Sequence, residues 1–153
     1  MKILFICTGN ICRSPMAEVI FENLCKKHKR KDITVKSAGV DTIDGYPMTQ
    51  TAFEALLHCG EKMGRKQRTS TRFNNDMIEN FDYIICMTKA HKNHIIFFME
   101  QYGVTPSNVY TLGELVDCPD IADPYMQTLP IYRRTCEDLQ AALKKLYEKL
   151  VEE

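Results

Sequence analysis

A cysteine and an arginine lie near the amino terminus with five residues between them. Cys7 and Arg13 enclose the segment Thr-Gly-Asn-Ile-Cys. Gly9 and Asn10 are residue types that accept unusual backbone dihedral angles, so a tight loop is expected here. Such a loop turns its N–H groups inward at the positive end of a helix, which suits a phosphate dianion. Because the same field favours a thiolate, the pattern predicts phosphate chemistry through a cysteine nucleophile.

Each residue type in this segment suits a different task. Cys7 is the expected nucleophile, since a thiol pKa of about 8.5 falls to roughly 3.5–7.5 at helix N-termini or beside cations. Arg13 offers a planar fork of donors for two phosphate oxygens, which a lysine cannot copy. Ser14 is expected to cap the helix and to donate to the thiolate, with Pro15 at the first helical position. Asn10 is expected to fix the loop through side-chain hydrogen bonds to the backbone.

The backbone N–H groups of the loop form the predicted phosphate cradle. They belong to Thr8, Gly9, Asn10, Ile11, Cys12 and Arg13. Cys12 has a second possible role, because a reversible disulfide with Cys7 would protect the nucleophile from over-oxidation. The alternative for Cys12 is a small packing residue. Both interpretations stay open at this point.

The rest of the chain must hold this loop in place, and its pattern alternates strand with helix. Alternation of this kind predicts one domain over residues 1–153, with four parallel strands and helices on both faces of the sheet. Ligands in such folds bind beyond the carboxyl ends of the strands, where the Cys7 loop lies. The predicted strands are residues 2–6, 33–37, 82–87 and 109–111, and the main predicted helices are the one after the loop, 49–58, 89–99 and 131–150.

Two finer predictions concern single segments. In the helix over 49–58, Ala52, Phe53, Leu56 and Leu57 are expected to face inward. The stretch 113–130 is long and shows no regular pattern, which is typical of a functional loop.

Composition limits the classes of partner. Lys plus Arg and Asp plus Glu number 20 each, so no global field favours nucleic acid or an anionic membrane surface. The amino terminus is too short for a signal peptide, and no apolar run has membrane-spanning length. Seven scattered cysteines favour a reducing cytoplasm. The four histidines show no metal-ligand spacing and are expected at the surface, so neither a metal nor another cofactor is predicted.

The loop resembles the C-x5-R-S loop of phosphatases that form a phosphocysteine. Its place at the amino terminus is similar to that in the low-molecular-weight protein tyrosine phosphatase family. Asp123-Pro124-Tyr125 and Ser37-Ala38-Gly39 match two further marks of that family. The resemblance covers essentially the whole chain, and it implies a flavodoxin-like three-layer α/β sandwich of the phosphotyrosine protein phosphatase I-like type.

The resemblance also implies roles for residues outside the loop. Asp123 becomes the general acid, which would protonate the leaving oxygen and then activate water. Tyr125 and Ile11 become walls of the substrate cleft. Asp117 and Asp120 are weaker candidates for the acid. The implied activity is hydrolysis of phosphotyrosine in a phosphorylated protein or peptide, and no oligomeric state is indicated.

Some segments depart from the usual pattern of this family. The loop 41–46 has no tryptophan, so Ile43 or Tyr46 is expected to form that wall. Residues 87–92 and 109–112 look closer to the protein-arginine phosphatase branch of the family. That branch has threonine where this chain has Ile11, which favours phosphotyrosine. Phosphoarginine is therefore the nearest alternative substrate.

Two other classes are weaker. An arsenate reductase resembles this fold but needs further cysteines, and here Cys86 lies inside a predicted strand with none following until Cys118. A non-catalytic phosphate-binding module would need neither a thiol nor an acid. The presence of Cys7 together with Asp123 argues against that class.

Overall fold

Within residues 1–64 and 68–152, which the computed structural model describes, four strands form one parallel sheet. They are β1 (Lys2–Cys7), β2 (Thr34–Gly39), β3 (Tyr83–Cys86) and β4 (Val109–Thr111), in the order β2-β1-β3-β4. The helices are α1 (Arg13–Lys27), α2 (Gln50–His58), α3 (Met77–Asn80), α4 (Lys89–Glu100), α5 (Leu112–Val116) and α6 (Leu129–Tyr147), and a π-helical turn covers Glu148–Glu152.

Strand β1 lies between β2 and β3 and is covered on both faces. Ile3 and Phe5 belong to the core shared with α1, α2 and α6. Leu4 and Ile6 point to the other face and join the core shared with α3 and α4. A strand buried on both sides needs an almost uninterrupted apolar sequence, which residues 2–6 supply. The predicted three-layer α/β fold, with a four-stranded parallel sheet, is confirmed.

Helix α6 is the longest helix of the described chain and packs along α1 and α2. Leu139, Leu143 and Leu146 are fully buried, as their spacing predicted. Phe21 of α1 lies between Phe5 and Tyr147, with ring centroids 5.8 and 5.9 Å away. In the described part of the chain, no helix combines the length and the apolar character needed to span a membrane.

The buried face of α2 differs from the predicted one. Ala52, Ala55 and Leu56 are completely buried, whereas Phe53 and Leu57 are 37% and 50% exposed. The prediction of an inward Phe53 and Leu57 is therefore wrong. Each residue turns a helix by about 100°, so only one narrow stripe faces α6 and the next residues lie beside it.

Helix α5 lies in the stretch that was expected to be irregular. The Thr111 side chain accepts a hydrogen bond from the Glu114 N–H at 3.0 Å and caps the helix, and Asp117 ends it in a left-handed conformation. A helix of five residues is too short to show a periodic pattern in the sequence. The remainder, 117–128, has no regular structure and returns to the carboxyl edge of the sheet.

Candidate active site

The loop from Cys7 to Arg13 joins the carboxyl end of β1 to the first turn of α1. The side chains at both of its ends are nearly inaccessible, with Cys7 at 3% and Arg13 at 5% exposure. A cleft of about 270 Å³ opens above them. Besides residues of the loop, it is lined by Asp41, Thr42, Tyr46, Asp123 and Tyr125.

The start of α1 differs from the prediction in a way that affects the site. Ser14 is not the N-cap, because the helix begins at Arg13 and Cys12 occupies the capping position without a side-chain cap. Ser14 Oγ instead lies 2.9 Å from Cys7 Sγ and accepts from Asn10 Nδ2 at 2.7 Å. Since the serine oxygen is used in this way, no side chain of the loop blocks the first N–H groups of the helix, which suit an anion.

Asn10 holds the loop in its tight turn. Its backbone is left-handed, with φ of 56°, a conformation that asparagine tolerates better than most residues. Its buried side chain accepts from the backbone N–H of Thr71 at 2.8 Å and donates to Ser14. One amide therefore links the loop to the backbone at Thr71 and to the serine beside the thiol.

Gly39 supports the same loop from β2. A Cβ atom at this position would lie 2.6 Å from the Thr8 carbonyl oxygen and 3.0 Å from the Asn10 nitrogen. The next two residues donate their N–H groups to the loop, Val40 to the Cys7 carbonyl at 3.1 Å and Asp41 to the Thr8 carbonyl at 3.0 Å. Glycine is required here because the two backbone segments approach so closely.

The guanidinium of Arg13 lies at the base of the cleft. Its Nη1 donates to the Ile121 carbonyl at 3.0 Å. Its Nη2 donates to Thr8 Oγ1 at 3.5 Å and lies 3.6 Å from Asp123 Oδ2. The Asp123 side chain is 56% exposed, against 6% for Arg13. The carboxylate therefore lies at the open side of the cleft, across the guanidinium.

The loop that carries Asp123 is fixed by its neighbours. Both carboxylate oxygens of Asp120 accept from the Lys89 N–H, at 3.2 and 3.3 Å, and the Ile121 N–H donates to the Met87 carbonyl at 3.0 Å. Asp117 lies at the end of α5. Of the three acids that the sequence offered, Asp123 is the one that lines the cleft.

The upper walls of the cleft are apolar. Ile11, Tyr46 and Tyr125 all line it, and both tyrosines are 51% exposed. The sequence offered either Ile43 or Tyr46 as the wall contributed by the loop 41–46. Tyr46 is the one that lines the cleft. The cleft therefore has a charged base, and its sides combine these three side chains with Asp41, Thr42 and Asp123.

The Cys12 thiol, which also lines the cleft, contacts the start of α2 and helix α6. Its Sγ is 3.3 Å from the Tyr132 hydroxyl of α6 and 3.7 Å from Thr49 Oγ1. Burial raises the pKa of the Cys12 thiol, and burial likewise raises the pKa of Tyr132 to about 12. Cys7 and Cys12 are both free thiols. A disulfide between them stays a prediction.

His91 is a buried residue that the sequence analysis missed. It was expected at the surface, but it is only 5% exposed, in the first turn of α4. Its Nε2 lies 2.8 Å from Thr8 Oγ1 and its Nδ1 lies 2.9 Å from Thr88 Oγ1. Burial, followed by the charge of Arg13, lowers the pKa of His91 to about 4. A usable signal was its place three residues after Thr88, at the carboxyl edge of the sheet.

The described residues hold no group of three or more His, Cys, Asp or Glu side chains that could bind a metal ion. The cleft itself contains four kinds of reactive or charged group. They are a thiol beside a serine hydroxyl, a buried guanidinium, the uncapped start of a helix and an exposed carboxylate.

A parallel α/β sheet with a Cys-x5-Arg loop at the end of its first strand defines a class of cysteine-dependent phosphatases. The sequence model of the low molecular weight phosphotyrosine protein phosphatase family matches residues 2–153. The chain belongs to this family and is a cysteine-dependent phosphatase.

Relatives within the family carry two different names. A protein-arginine-phosphatase of Bacillus subtilis is 34% identical, over 98% of this chain and 97% of its own. The low molecular weight protein-tyrosine-phosphatase PtpB of Staphylococcus haemolyticus is 33% identical, over 95% of this chain and 97% of its own.

Solved structures show the same division. A cysteine-to-serine mutant of the YwlE arginine phosphatase, with a phosphorylated active-site serine, superposes with a TM-score of 0.87 at 32% identity. That match covers 98% of this chain and 95% of the other. A low molecular weight protein tyrosine phosphatase from T. tengcongensis gives 0.86 at 35% identity, covering 98% and 99%.

Proposed function

We propose that the protein hydrolyses phosphotyrosine in proteins or peptides, with Cys7 as nucleophile. The observation that carries the proposal is the combination within one cleft of a thiol and a guanidinium at the base and of apolar walls above. A phosphate dianion fits the base, and a phenyl ring fits between Ile11 and the two tyrosines. We also propose a cytoplasmic location, because a thiolate nucleophile needs a reducing setting and all seven cysteines are free.

In the first step the Cys7 thiolate attacks phosphorus and the bond to the leaving oxygen breaks. The Ser14 hydroxyl, 2.9 Å from the sulfur, donates to the thiolate and stabilises it. Arg13 and the loop N–H groups hold the equatorial oxygens, where charge is stabilised in the transition state. Asp123 gives its proton to the leaving oxygen. The products are a free tyrosine hydroxyl and a phosphocysteine.

In the second step water attacks the phosphocysteine. The Asp123 carboxylate, left without its proton, takes one from the water. The S–P bond breaks and the electron pair returns to Cys7 as thiolate. Orthophosphate leaves, and Asp123 is again protonated for the next cycle. Every proton is accounted for by this one carboxyl group, so the described groups suffice.

Phosphoarginine is the second candidate substrate. Asp41 lines the cleft together with Asp123, and two carboxylates would suit a phosphorylated guanidinium better than a phenyl ring. The protein-arginine-phosphatase of Bacillus subtilis is as similar to this chain as the tyrosine phosphatases are. Ile11, an apolar residue of the phosphate loop that lines the cleft, argues against this candidate.

The test compares kcat/KM for phosphotyrosine, phosphoarginine and phosphoserine in peptides of one sequence. We expect the wild-type protein to prefer phosphotyrosine, and Ile11→Thr to shift the ratio toward phosphoarginine by roughly 10–100-fold, as changes of apolar volume in a pocket do. Ile43→Thr is the matched control, since Ile43 is 55% exposed and does not line the cleft. A wild-type preference for phosphoarginine would reverse the assignment.

A further inference from the structure

We propose that His91 is a positioning residue, which orients the Arg13 guanidinium through the hydroxyl of Thr8. Thr8 Oγ1 lies between the two side chains, 2.8 Å from His91 Nε2 and 3.5 Å from Arg13 Nη2. Arginine only donates hydrogen bonds, so this oxygen must accept from it. The inference rests on the proposed function in one respect, namely that Arg13 binds the transferring phosphoryl group.

Thr8 needs an anchor because its own surroundings do not fix it. The residue is exposed, and an exposed threonine side chain exchanges among staggered rotamers. His91, in contrast, is buried and is fixed on its far side by Thr88. Thr88 Oγ1 contacts His91 Nδ1 at 2.9 Å and accepts from the His91 backbone N–H at 3.2 Å. The imidazole ring is therefore held by the first turn of α4, and it in turn holds the Thr8 hydroxyl in one orientation.

The contact matters most when the acid is protonated. Arg13 Nη1 donates to the Ile121 carbonyl at 3.0 Å, whereas Nη2, among the residues that the structure describes, contacts Thr8 Oγ1 and the Asp123 carboxylate. In the first step of the proposed mechanism Asp123 carries a proton and no longer forms an ion pair. The Thr8 hydroxyl is then the protein group that keeps the Nη2 end aligned toward the phosphate oxygens. Misalignment of this kind lowers kcat more than it raises KM.

Two substitutions of His91 separate its two contacts. The terminal amide of glutamine reaches the place of Nε2, whereas that of asparagine reaches only the place of Nδ1. His91→Gln therefore keeps a partner for Thr8, and His91→Asn keeps a partner for Thr88 alone. Either tautomer of the wild-type ring is matched, because an amide can donate or accept.

The experiment measures kcat and KM on an aryl phosphate, and orthovanadate affinity by calorimetry. We expect His91→Asn to lose about tenfold in kcat/KM, mainly in kcat, and His91→Gln to recover most of it. Thr8→Val should cost about as much as His91→Asn, and the double variant should lose no more than Thr8→Val alone. A residue that only supports folding would instead change the melting temperature and leave kcat of the folded fraction unchanged.

Several outcomes would overturn the inference. They are a double variant whose losses multiply, a His91→Gln variant no better than folded His91→Asn, and a Thr8→Val variant with normal orthovanadate affinity. If His91→Asn does not fold, the Thr8→Val measurement decides, because Thr8 is exposed and its loss leaves the fold intact. If the wild-type protein turned over no phosphoester, the proposed function would fail, but the orthovanadate affinities would still test the link from His91 to Arg13.

Discussion

The Asp123 side chain is mostly exposed, at the open side of the cleft, whereas the Arg13 side chain at the base is buried. We expect Asp123→Asn to reduce turnover of phenyl phosphate by about 10²–10⁴-fold, because a poor leaving group needs the proton. A nitrophenyl phosphate, whose leaving group is stable as an anion, should lose much less. The measurement is kcat/KM for the two esters under one set of conditions. Equal losses would contradict the role of Asp123 as the acid.

Asp120→Asn is a suitable control for that experiment. Asp120 lies in the same loop as Asp123. Its carboxylate accepts a hydrogen bond from the Lys89 N–H of α4 but does not line the cleft. An asparagine oxygen can accept the same hydrogen bond. We expect both esters to lose the same small factor in this variant, so the ratio between them is the informative quantity.

At the level of residues, the sequence predicted those parts of the site whose residues are close together in the chain. Cys7 and Arg13 were found because a single loop contains both. Asp123 was predicted as the acid only through the family resemblance, since an Asp-Pro pair alone indicates a turn. His91 was missed because its burial results from packing between distant segments, which no local pattern records. Ser14 was placed at the wrong helical position because its oxygen contacts the thiol instead of the helix end.

At the level of elements, a buried ion pair joins α1 to its neighbours. Glu18 of α1 accepts from Ser37 of β2 at 2.9 Å and pairs with Arg68. Arg68 also pairs with Glu22 at 2.8 Å, and its side chain is 9% exposed. Thr71, three residues after Arg68, donates its N–H to Asn10. The ion pair therefore supports the phosphate loop from behind.

We expect Glu18→Gln to lower the free energy of unfolding by about 2–4 kcal/mol, because a buried guanidinium loses the more buried of its two carboxylate partners. Glu22→Gln is the matched control, since the Glu22 side chain is 26% exposed and Glu18 is only 10% exposed. The control should cost about 1 kcal/mol. Urea denaturation of the two variants gives both values. Equal costs would show that burial of the pair does not determine its contribution.

The long helices followed from the sequence because their apolar residues recur on one face, and β1 followed because its sequence is apolar almost without interruption. Helix α5 did not, because a threonine cap and a left-handed Asp117 define it in only five residues. The inward face of α2 was half right. Ala52 and Leu56 lie on the stripe that faces α6. Phe53 is a residue type common in protein cores, but here its side chain lies outside that stripe and is partly exposed.

At the level of the whole molecule, His91 makes stability depend on pH. Its pKa falls from 6.5 to about 4 on folding, chiefly through burial. Between these values the unfolded chain binds a proton that the folded protein does not, so stability rises with pH across this window. We expect the contribution of His91 to lower the free energy of unfolding by about 3 kcal/mol between pH 7 and pH 4.

His91→Gln should remove that part of the pH dependence, and urea denaturation at pH 4.5, 5.5, 6.5 and 7.5 would show it as a flatter profile. Asp32 acts in a separate window, since a hydrogen bond from Arg30 lowers its pKa to about 2. The stability that Asp32 contributes is fully present above pH 3.8, and it is lost only as the pH falls toward 2. An unchanged slope between pH 4.5 and 6.5 in the variant would contradict the assignment to His91.

The hydrogen bonds that complete the cleft join opposite ends of the chain. Arg13 is 108 residues from its acceptor, the Ile121 carbonyl, and Cys12 is 120 residues from the Tyr132 hydroxyl. A ribosome therefore makes the phosphate loop more than a hundred residues before the groups that contact Arg13 and Cys12. We expect a fragment that stops before residue 121 to lack the acceptor of the Arg13 guanidinium. Such a fragment should not dephosphorylate a phosphotyrosine peptide.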